Sequence, residues 1–240
     1  MKNLKTILAI TVCIVATQIT FAQKNIKGSG NVITKTITTS DYHAVNTIGS
    51  ITVELVSGNE GNIKVIAEDN LQEFVEITNN GGALKVTTKN NLPYYKSTHG
   101  IRVIVPFKEL DKVTLIGSGD VIGKDIIKTN NFETKLTGSG DLKLEVKAQE
   151  INAYIKGSGD LTLRGTTNVF NAVVSGSGDL IAKNLKTTMT DISLTGSGDA
   201  SVYASSSIKA RVNGSGDIEY FGNPTTKDTK VFGSGDIDKM

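Results

Sequence analysis

The tetrapeptide Gly-Ser-Gly-Asp occurs seven times from residue 117 onward, at nearly constant spacing. The copies begin at residues 117, 138, 157, 176, 196, 214 and 233, so successive copies are 18 to 21 residues apart. Repetition at a short fixed period is typical of architectures in which each repeat is one small unit that stacks on the next. The motif therefore restricts the fold to a stack of similar coils, each too short to contain a pair of helices.

The residues on either side of each motif alternate between apolar and mostly polar side chains. Two residues before the motif the side chain is always apolar: Leu115, Leu136, Ile155, Val174, Leu194, Val212 and Val231. Alternation with period two indicates a strand with one buried face. We predict an all-β protein without helices, a right-handed parallel β-solenoid with coils of about 19 residues. Each coil would be a strand, a GSGD corner, a second strand and a polar return.

The first part of the chain is less regular. Alternating runs such as Ile51-Val53-Leu55 are separated by turn-rich stretches, and the fragment IGS at 48–50 is a degenerate copy of the motif. We predict that residues 23–112 form an irregular β-rich half, as early coils or as a sheet, and that residues 113–240 form the regular solenoid. The boundary is expected near Lys112.

The N terminus has the features of a secretory signal peptide. Lys2 and Lys5 precede an uncharged apolar run from Ile7 to Ala16, and Thr20-Phe21-Ala22 fits a cleavage site before Gln23. The run is shorter than the roughly 20 apolar residues that span a bilayer. We predict an exported protein that is not membrane-spanning and that resides in the periplasm, on the outer surface or outside the cell. Cys13 is the single cysteine, so after cleavage disulfides are excluded.

The charge balance argues against nucleic acid as a partner. Without residues 1–22 the chain has 24 basic and 24 acidic residues, and only 5% of the sequence is aromatic. Nucleic-acid binding depends on clustered cations and, for single strands, on aromatic stacking platforms. No run of Lys and Arg interleaved with aromatics is present in the sequence.

The chain resembles a known family in its motif and in the segments around it. The GSGD copies, the run 113–116 before the first copy and the segment ITVELVSGNEGNIKVIAEDN (51–70) are similar to the head GIN domain family of putative autotransporter adhesins. These are exported proteins of Bacteroidetes-type bacteria. The resemblance covers nearly all of the chain after residue 22. It implies a β-helical surface or envelope protein with an adhesive role, and it implies no established active site.

The seven aspartates of the motif have two interpretations. Glycines suit a sharp corner, and Ser and Asp side chains close turns by accepting bonds from nearby backbone N–H groups. We therefore expect each aspartate to be hydrogen-bonded within its own corner. The alternative is a calcium-binding repeat, although one carboxylate per coil supplies few of the six or more oxygens that calcium takes. The candidate calcium ligands are Asp120, Asp141, Asp160, Asp179, Asp199, Asp217 and Asp236. Apart from this calcium alternative, we expect no cofactor.

An enzyme is the less favoured alternative. Carbohydrate-active β-helix enzymes need a local set of carboxylates or a base with cation-binding acids, which would make one coil differ from its neighbours. The seven aspartates instead occupy one equivalent position, and His43 and His99 share no motif with a nucleophile. We predict no catalytic residues and no enzymatic activity.

The expected function is adhesive or structural, with a surface glycan or protein as the unidentified partner. Outward side chains such as Tyr154, Lys156 and Arg211 would form a flat polar face. Tyr94 and Tyr95, in the segment 90–100, are the single best candidate contact site, because exposed tyrosines are favoured at interfaces. The equally favoured alternative is that these tyrosines cover the apolar edge of the solenoid. The last motif ends four residues before Met240, so we also expect the final coil to expose its edge and either to fray or to pair with another molecule.

Overall fold

The computed structural model describes residues 26–89 and 95–240, and most of these lie in β-strands. The predicted signal peptide with Cys13 lies outside the described residues, and so does Tyr94. The strands before the first GSGD corner are β1 (Ile26–Lys27), β2 (Val32–Thr38), β3 (Ala44–Gly49), β4 (Thr52–Ser57), β5 (Asn62–Glu68), β6 (Val75–Asn80), β7 (Ala83–Thr88), β8 (Tyr95–Lys96), β9 (Arg102–Phe107) and β10 (Lys112–Gly117).

The remaining strands alternate with the GSGD corners. They are β11 (Val121–Gly123), β12 (Ile127–Lys128), β13 (Asn131–Gly138), β14 (Leu142–Lys147), β15 (Glu150–Gly157), β16 (Leu161–Gly176), β17 (Leu180–Gly196), β18 (Ala200–Tyr203), β19 (Ser207–Gly214), β20 (Ile218–Phe221), β21 (Thr226–Gly233) and β22 (Ile237–Lys239). The two long strands, β16 and β17, each run from the second half of one coil into the first half of the next.

Neighbouring coils pair in parallel and in register, motif on motif. Gly138 pairs with Gly117 and with Gly157, and the same match continues to Gly233. The predicted β-solenoid with stacked parallel coils of about 19 residues is thereby confirmed. Differences in coil length are absorbed away from the GSGD corner, for example by a register shift between Thr162 and Arg164.

The inward side chains form one continuous apolar core. Leu115, Leu136, Ile155, Val174, Leu194 and Val212, the residues two positions before each motif, are almost completely buried. The three largest buried side chains are Phe107, Phe132 and Phe170. Burial of this apolar surface is the main stabilising term for a chain whose coils make no disulfides.

The order of the coils in the stack differs from their order in the chain. The coil formed by β3 and β4 pairs with β10 and β11 on one side, in register from Gly49 to Gly117, and with β7 and β9 on the other. The IGS fragment therefore occupies the position of a GSGD corner. The first coil of the stack, β7 and β9, is covered on its outer side by antiparallel strands, β6 on β7 and β5 on β9, with β2 beyond β5. We call β2, β5 and β6 the N-terminal cap.

One short helix interrupts the strands, where the sequence predicted none. The 3-10 helix Asp69–Phe74 follows β5, and its Gln72 side chain is buried. The Nε2 atom of Gln72 donates to the carbonyl oxygens of Ile33 (2.9 Å) and Val65 (3.1 Å). The helix is too short to produce a 3.6-residue pattern in the sequence. It is held in place by the hydrogen bonds of the Gln72 amide.

The far end of the stack is open among the described residues. β21 pairs with β19 and β22 pairs with β20, and neither has a partner on its other side within residues 26–89 and 95–240. Every residue of β21 is exposed, including Val231 (39%) and Phe232 (63%). Val231 thus departs from the buried pattern because no further coil covers it.

Candidate functional site

The GSGD corner is built around close backbone contact between coils. The first glycine of each motif has a positive φ, between +124° and +144°. The N–H groups of the next two residues donate to the first glycine of the neighbouring coil, as Ser158 and Gly159 do to the oxygen of Gly138 (2.9 and 3.1 Å). A Cβ atom on Gly157 would lie 2.2 Å from that same oxygen. Only glycine satisfies both the dihedral angle and the spacing.

The aspartates of the corners form hydrogen bonds between coils, not within their own corners as expected. In five cases the Oδ1 atom accepts from the backbone N–H of the next aspartate in the stack, at 2.8 to 3.2 Å: Asp120 to Asp141, Asp160 to Asp179, Asp179 to Asp199, Asp199 to Asp217 and Asp217 to Asp236. We call the seven aspartates the aspartate ladder. Asp141 is different, because its Oδ2 atom pairs with the Lys143 ammonium at 3.2 Å.

The expectation of a local bond was wrong for a physical reason. The N–H groups of Ser158 and Gly159, which a local turn would use, are already bonded to the neighbouring coil. The N–H group of the next aspartate has no backbone partner in these five cases and is bonded by the carboxylate. Each of these five carboxylates therefore stabilises the stacking of two coils.

The ladder lacks the geometry of a metal centre. No group of three or more His, Cys, Asp or Glu side chains in the described residues is placed to hold a metal ion. Asp179, Asp199 and Asp217 border an open groove of about 240 Å³ together with Glu219. Successive coils are about 4.8 Å apart, and one oxygen of each of these three carboxylates is engaged by backbone.

The outward side chains before each motif form the first of two lateral faces, which we call face A. Its columns are in register, and side chains bond along them: Nδ2 of Asn171 donates to Oδ1 of Asn152 (2.9 Å). Face A includes Glu133, Asn152, Asn171, Asp191, Lys209 and Asp228 in one column and Lys135, Tyr154, Val173, Ser193, Arg211 and Lys230 in the next.

Most charges of face A are neutralised within the face. Glu133 pairs with Lys112 (2.8 Å) and Lys135 (3.0 Å), and Arg211 pairs with Asp228. The hydrogen bond from Lys112 lowers the pKa of Glu133, and that from Arg211 lowers the pKa of Asp228. Between these pairs Tyr154 is 39% exposed, with the Lys135 ammonium 5.1 Å from its ring centre.

The other predicted site residues are dispersed. Tyr95 lies in β8, paired with Ile26 of β1, and its half-buried side chain packs against the core. His99 is exposed and its Nδ1 atom lies 3.0 Å from the Thr98 hydroxyl. The structure brings neither residue to face A.

A polar hollow near the first coil was not found by sequence reasoning. It measures about 360 Å³ and is lined by Asp41, Tyr42, His43, Glu60, Lys108 and Glu109. The Nδ1 atom of His43 lies 3.0 Å from Asp111, and the Tyr42 hydroxyl donates to the carbonyl of Pro106. Burial, with the nearby Glu60 and Asp41 charges, raises the pKa of Tyr42 well above its usual range. A hydroxyl held in this way is a structural donor at neutral pH, not an activated nucleophile.

The stacked, in-register coils define a repetitive parallel β-solenoid. The chain belongs to the family described as "putative auto-transporter adhesin, head GIN domain", whose model matches residues 41–224. The resemblance drawn from the motif is thereby confirmed. No curated protein matches the chain in sequence.

Several solved structures share the fold. A putative adhesin from Bacteroides fragilis NCTC 9343 has a TM-score of 0.83 at 23% identity, covering 90% of this chain and 100% of that one. A putative lipid binding protein from Parabacteroides distasonis ATCC 8503 has a TM-score of 0.74 at 28% identity, with the same coverage. A putative adhesin from Parabacteroides merdae ATCC 43184 has a TM-score of 0.69 at 22% identity, covering 90% and 99%. Among the residues described for this chain, none belongs to a helix with the length and apolarity to span a membrane.

Proposed function

We propose that the protein is an exported, non-enzymatic scaffold of the cell envelope or cell surface that binds a surface ligand, a glycan or a protein, through face A. The observation that supports this most is the in-register column geometry: outward side chains repeat at the strand spacing of about 4.8 Å on a rigid stack. Membership of a family described as adhesins agrees with it. Residues 1–22 would direct export, and Tyr94 and Tyr95 remain candidate contact residues.

Tyr154 and Lys156 are the face-A residues best suited to contact a ligand. They lie two residues apart on β15 and both are exposed. Aromatic side chains contribute a large contact area at low entropic cost, and they are enriched at binding interfaces. Ser193 in the same column as Tyr154, and Asn171 in the neighbouring column, add hydrogen-bonding groups.

The proposal is tested by screening residues 23–240 against arrays of glycans, matrix proteins and lipids. We expect a glycan or protein hit whose affinity falls about tenfold in the Y154A/K156A variant, the size typical of one interface hot spot. The K35A/K64A variant in β2 and β5, which removes exposed lysines of the N-terminal cap, should bind within about twofold of the wild type. A hit insensitive to Y154A/K156A, a lipid hit alone, or no hit would contradict the proposal for face A.

We further propose that β21 pairs with β21 of a second copy. An exposed strand edge is a template for pairing, and twofold antiparallel pairing centred on Thr229 would place Asp228 of each copy opposite Lys230 of the other. The two charges lie on the same outward face, and the exposed Phe232 and Val231 would be covered. The edge is therefore self-complementary in charge and shape.

The pairing predicts a concentration-dependent dimer in sedimentation experiments on residues 23–240. Lys230→Asp would set like charges opposite each other and should raise the dimer Kd about tenfold, because cross-strand pairs contribute roughly 0.2–1 kcal/mol each. The charge-swapped D228K/K230D variant restores opposite charges and should return the Kd to within about threefold. A monomer at all concentrations, or a swap no better than the single variant, would refute this register.

A further inference from the structure

Face B, formed by the outward side chains that follow each motif, differs from face A in its charge. Five cationic side chains of face B lie close together on the strands β12, β14, β16 and β17. We call them the basic row: Lys128, Lys147, Arg164, Lys183 and Lys186. All five are exposed. None of them forms an ion pair with another residue in the described parts of the chain. On face A the lysines Lys112, Lys135 and Lys209 are paired with carboxylates, whereas none of the five cations in this part of face B is.

The register of the strands explains why the cations are adjacent. Lys128 pairs with Lys147, Lys147 with Thr166, and Thr166 with Lys186, so three lysines share one column of four positions. Arg164 lies in the neighbouring column, opposite Asn184. At the strand spacing of about 4.8 Å, two like charges repel by roughly 0.9 kcal/mol in water. Lys128 and Lys147 are adjacent in the column, Thr166 separates Lys147 from Lys186, and no acidic residue lies between the three lysines.

One carboxylate lies beside the row. Glu145 is the one carboxylate of face B among the described residues from 126 to 186, and it lies opposite Arg164 in the strand register without forming an ion pair. It can offset one of the five positive charges. Glu54 is paired with Lys124 (3.4 Å) and Arg102 (3.8 Å), and Asp125 accepts from the backbone N–H of Ser57 (2.8 Å). The aspartate ladder lies at the corner, with its carboxylates bonded to backbone. The row is therefore a positive strip aligned with the axis of the stack.

The side chains around the basic row favour a negatively charged sugar polymer as its ligand. Thr162, Thr166 and Asn184 lie among the cations and offer hydroxyl and amide groups, which suit sugar hydroxyls. A groove of about 260 Å³ borders the row, lined by Gly123, Lys143, Leu144, Glu145, Thr162 and Arg164. A membrane-binding face would need a cluster of large apolar side chains beside its cations, whereas the strand that carries Lys183 and Lys186 exposes two, Ile181 (38%) and Met189 (46%), eight residues apart.

We propose that the basic row binds an acidic polysaccharide, with carboxylate or other anionic groups of successive sugars contacting lysines of successive coils. Nucleic acid fits less well, because single-stranded binding needs bases stacked on open aromatic rings. The nearest rings, Tyr203 and Phe221, are approached by the row's own lysines, Lys186 at 4.0 Å and Lys183 at 5.9 Å. The basic row lies on a different face from the ligand site proposed for face A. The two proposals can therefore be tested separately.

The test uses residues 23–240 and polygalacturonate, a linear polymer of carboxylated sugars, with its fully methyl-esterified form as the uncharged control. We expect binding to the acid form that weakens as salt is raised, because exposed charges are screened. The K147Q/R164Q/K186Q variant should lose at least about tenfold in affinity. The matched variant K35Q/K64Q/K85Q removes three exposed lysines from β2, β5 and β7, and it should bind within about twofold of the wild type.

Each other result overturns the assignment. Equal losses in the two triple variants would mean that net charge alone attracts the polymer. Equal binding of the esterified polymer would remove the role of the anionic groups. Tighter binding to phosphatidylglycerol vesicles or to a poly-dT oligonucleotide would assign the row to a membrane or to nucleic acid. Failure to bind polygalacturonate, with a face-A ligand still found in the arrays, would reject this inference and leave the proposed function intact.

Discussion

Gly157→Ala is expected to lower the free energy of unfolding by about 4 kcal/mol. Gly157 has a φ of +127°, which an alanine adopts only with strain of roughly 1–3 kcal/mol. The added Cβ would also lie 2.2 Å from the carbonyl oxygen of Gly138, where backbone must move and overpacking costs a further 1–3 kcal/mol or so. Denaturant unfolding of residues 23–240 followed by circular dichroism measures the change.

Gly58→Ala is the matched control for this substitution. A Cβ at Gly58 would lie 3.6 Å from the Cβ of Pro106, an ordinary contact, and the φ of Gly58 is not positive. We expect a change within about 1 kcal/mol. If Gly157→Ala changed the free energy of unfolding as little as Gly58→Ala, the coils would have to separate locally without loss of stability. The close stacking of the corners would then not be what holds neighbouring coils in register.

Removing three consecutive members of the aspartate ladder should have the second-largest effect. The D160A/D179A/D199A variant deletes the Oδ1 acceptors of three backbone N–H groups, which are bonded at 2.9, 2.8 and 2.9 Å. At about 1 kcal/mol for each bond, the free energy of unfolding should fall by about 3 kcal/mol. Unfolding in urea at neutral pH is the measurement.

The corresponding asparagine variant separates the hydrogen bond from the charge. D160N/D179N/D199N keeps an oxygen acceptor at each position and removes the repulsion between stacked carboxylates, roughly 0.8 kcal/mol per neighbouring pair at 5 Å in water. We therefore expect it to stay within about 1 kcal/mol of the wild type. A ligand that binds only the folded state raises the stability of the protein. Because we expect the ladder not to bind calcium, millimolar calcium should leave the unfolding midpoint of the wild type unchanged. A calcium-dependent rise lost in the asparagine variant would make the ladder a cation site.

The solenoid could be predicted because its signals are local and repeated. The apolar residues before each motif, such as Val174 and Leu194, recur at the same distance from a corner that needs glycine. In a stack of this kind each coil contacts its neighbours alone, so the period of the sequence is also the period of the structure. The exposed Val231 follows from the same logic, since it belongs to the coil with one neighbour.

The remaining features could not be predicted because they depend on contacts between distant residues. The donors available to Asp179 are set by which N–H groups the adjacent coil has already taken. The basic row was invisible in the linear sequence, since Lys128, Lys147 and Lys186 are separated by one or more coil lengths and meet only through the register. The position of the coil formed by β3 and β4 rests on the pairing of Gly49 with Gly117, which a three-letter fragment does not specify.

The interleaved order of the first coils also bears on how the protein is made. Synthesis delivers β3 and β4 long before β10 and β11, and before the strands β7 and β9 that pair on their other side. Closing such a long connection costs loop entropy before any pairing offsets it, whereas each later coil needs only its immediate predecessor. The apolar coil formed by β3 and β4 therefore lacks a complete partner coil until residue 107 has been made, and it is paired on one side only until residue 123. During that interval the chain depends on chaperones or on its own polar edges to avoid aggregation.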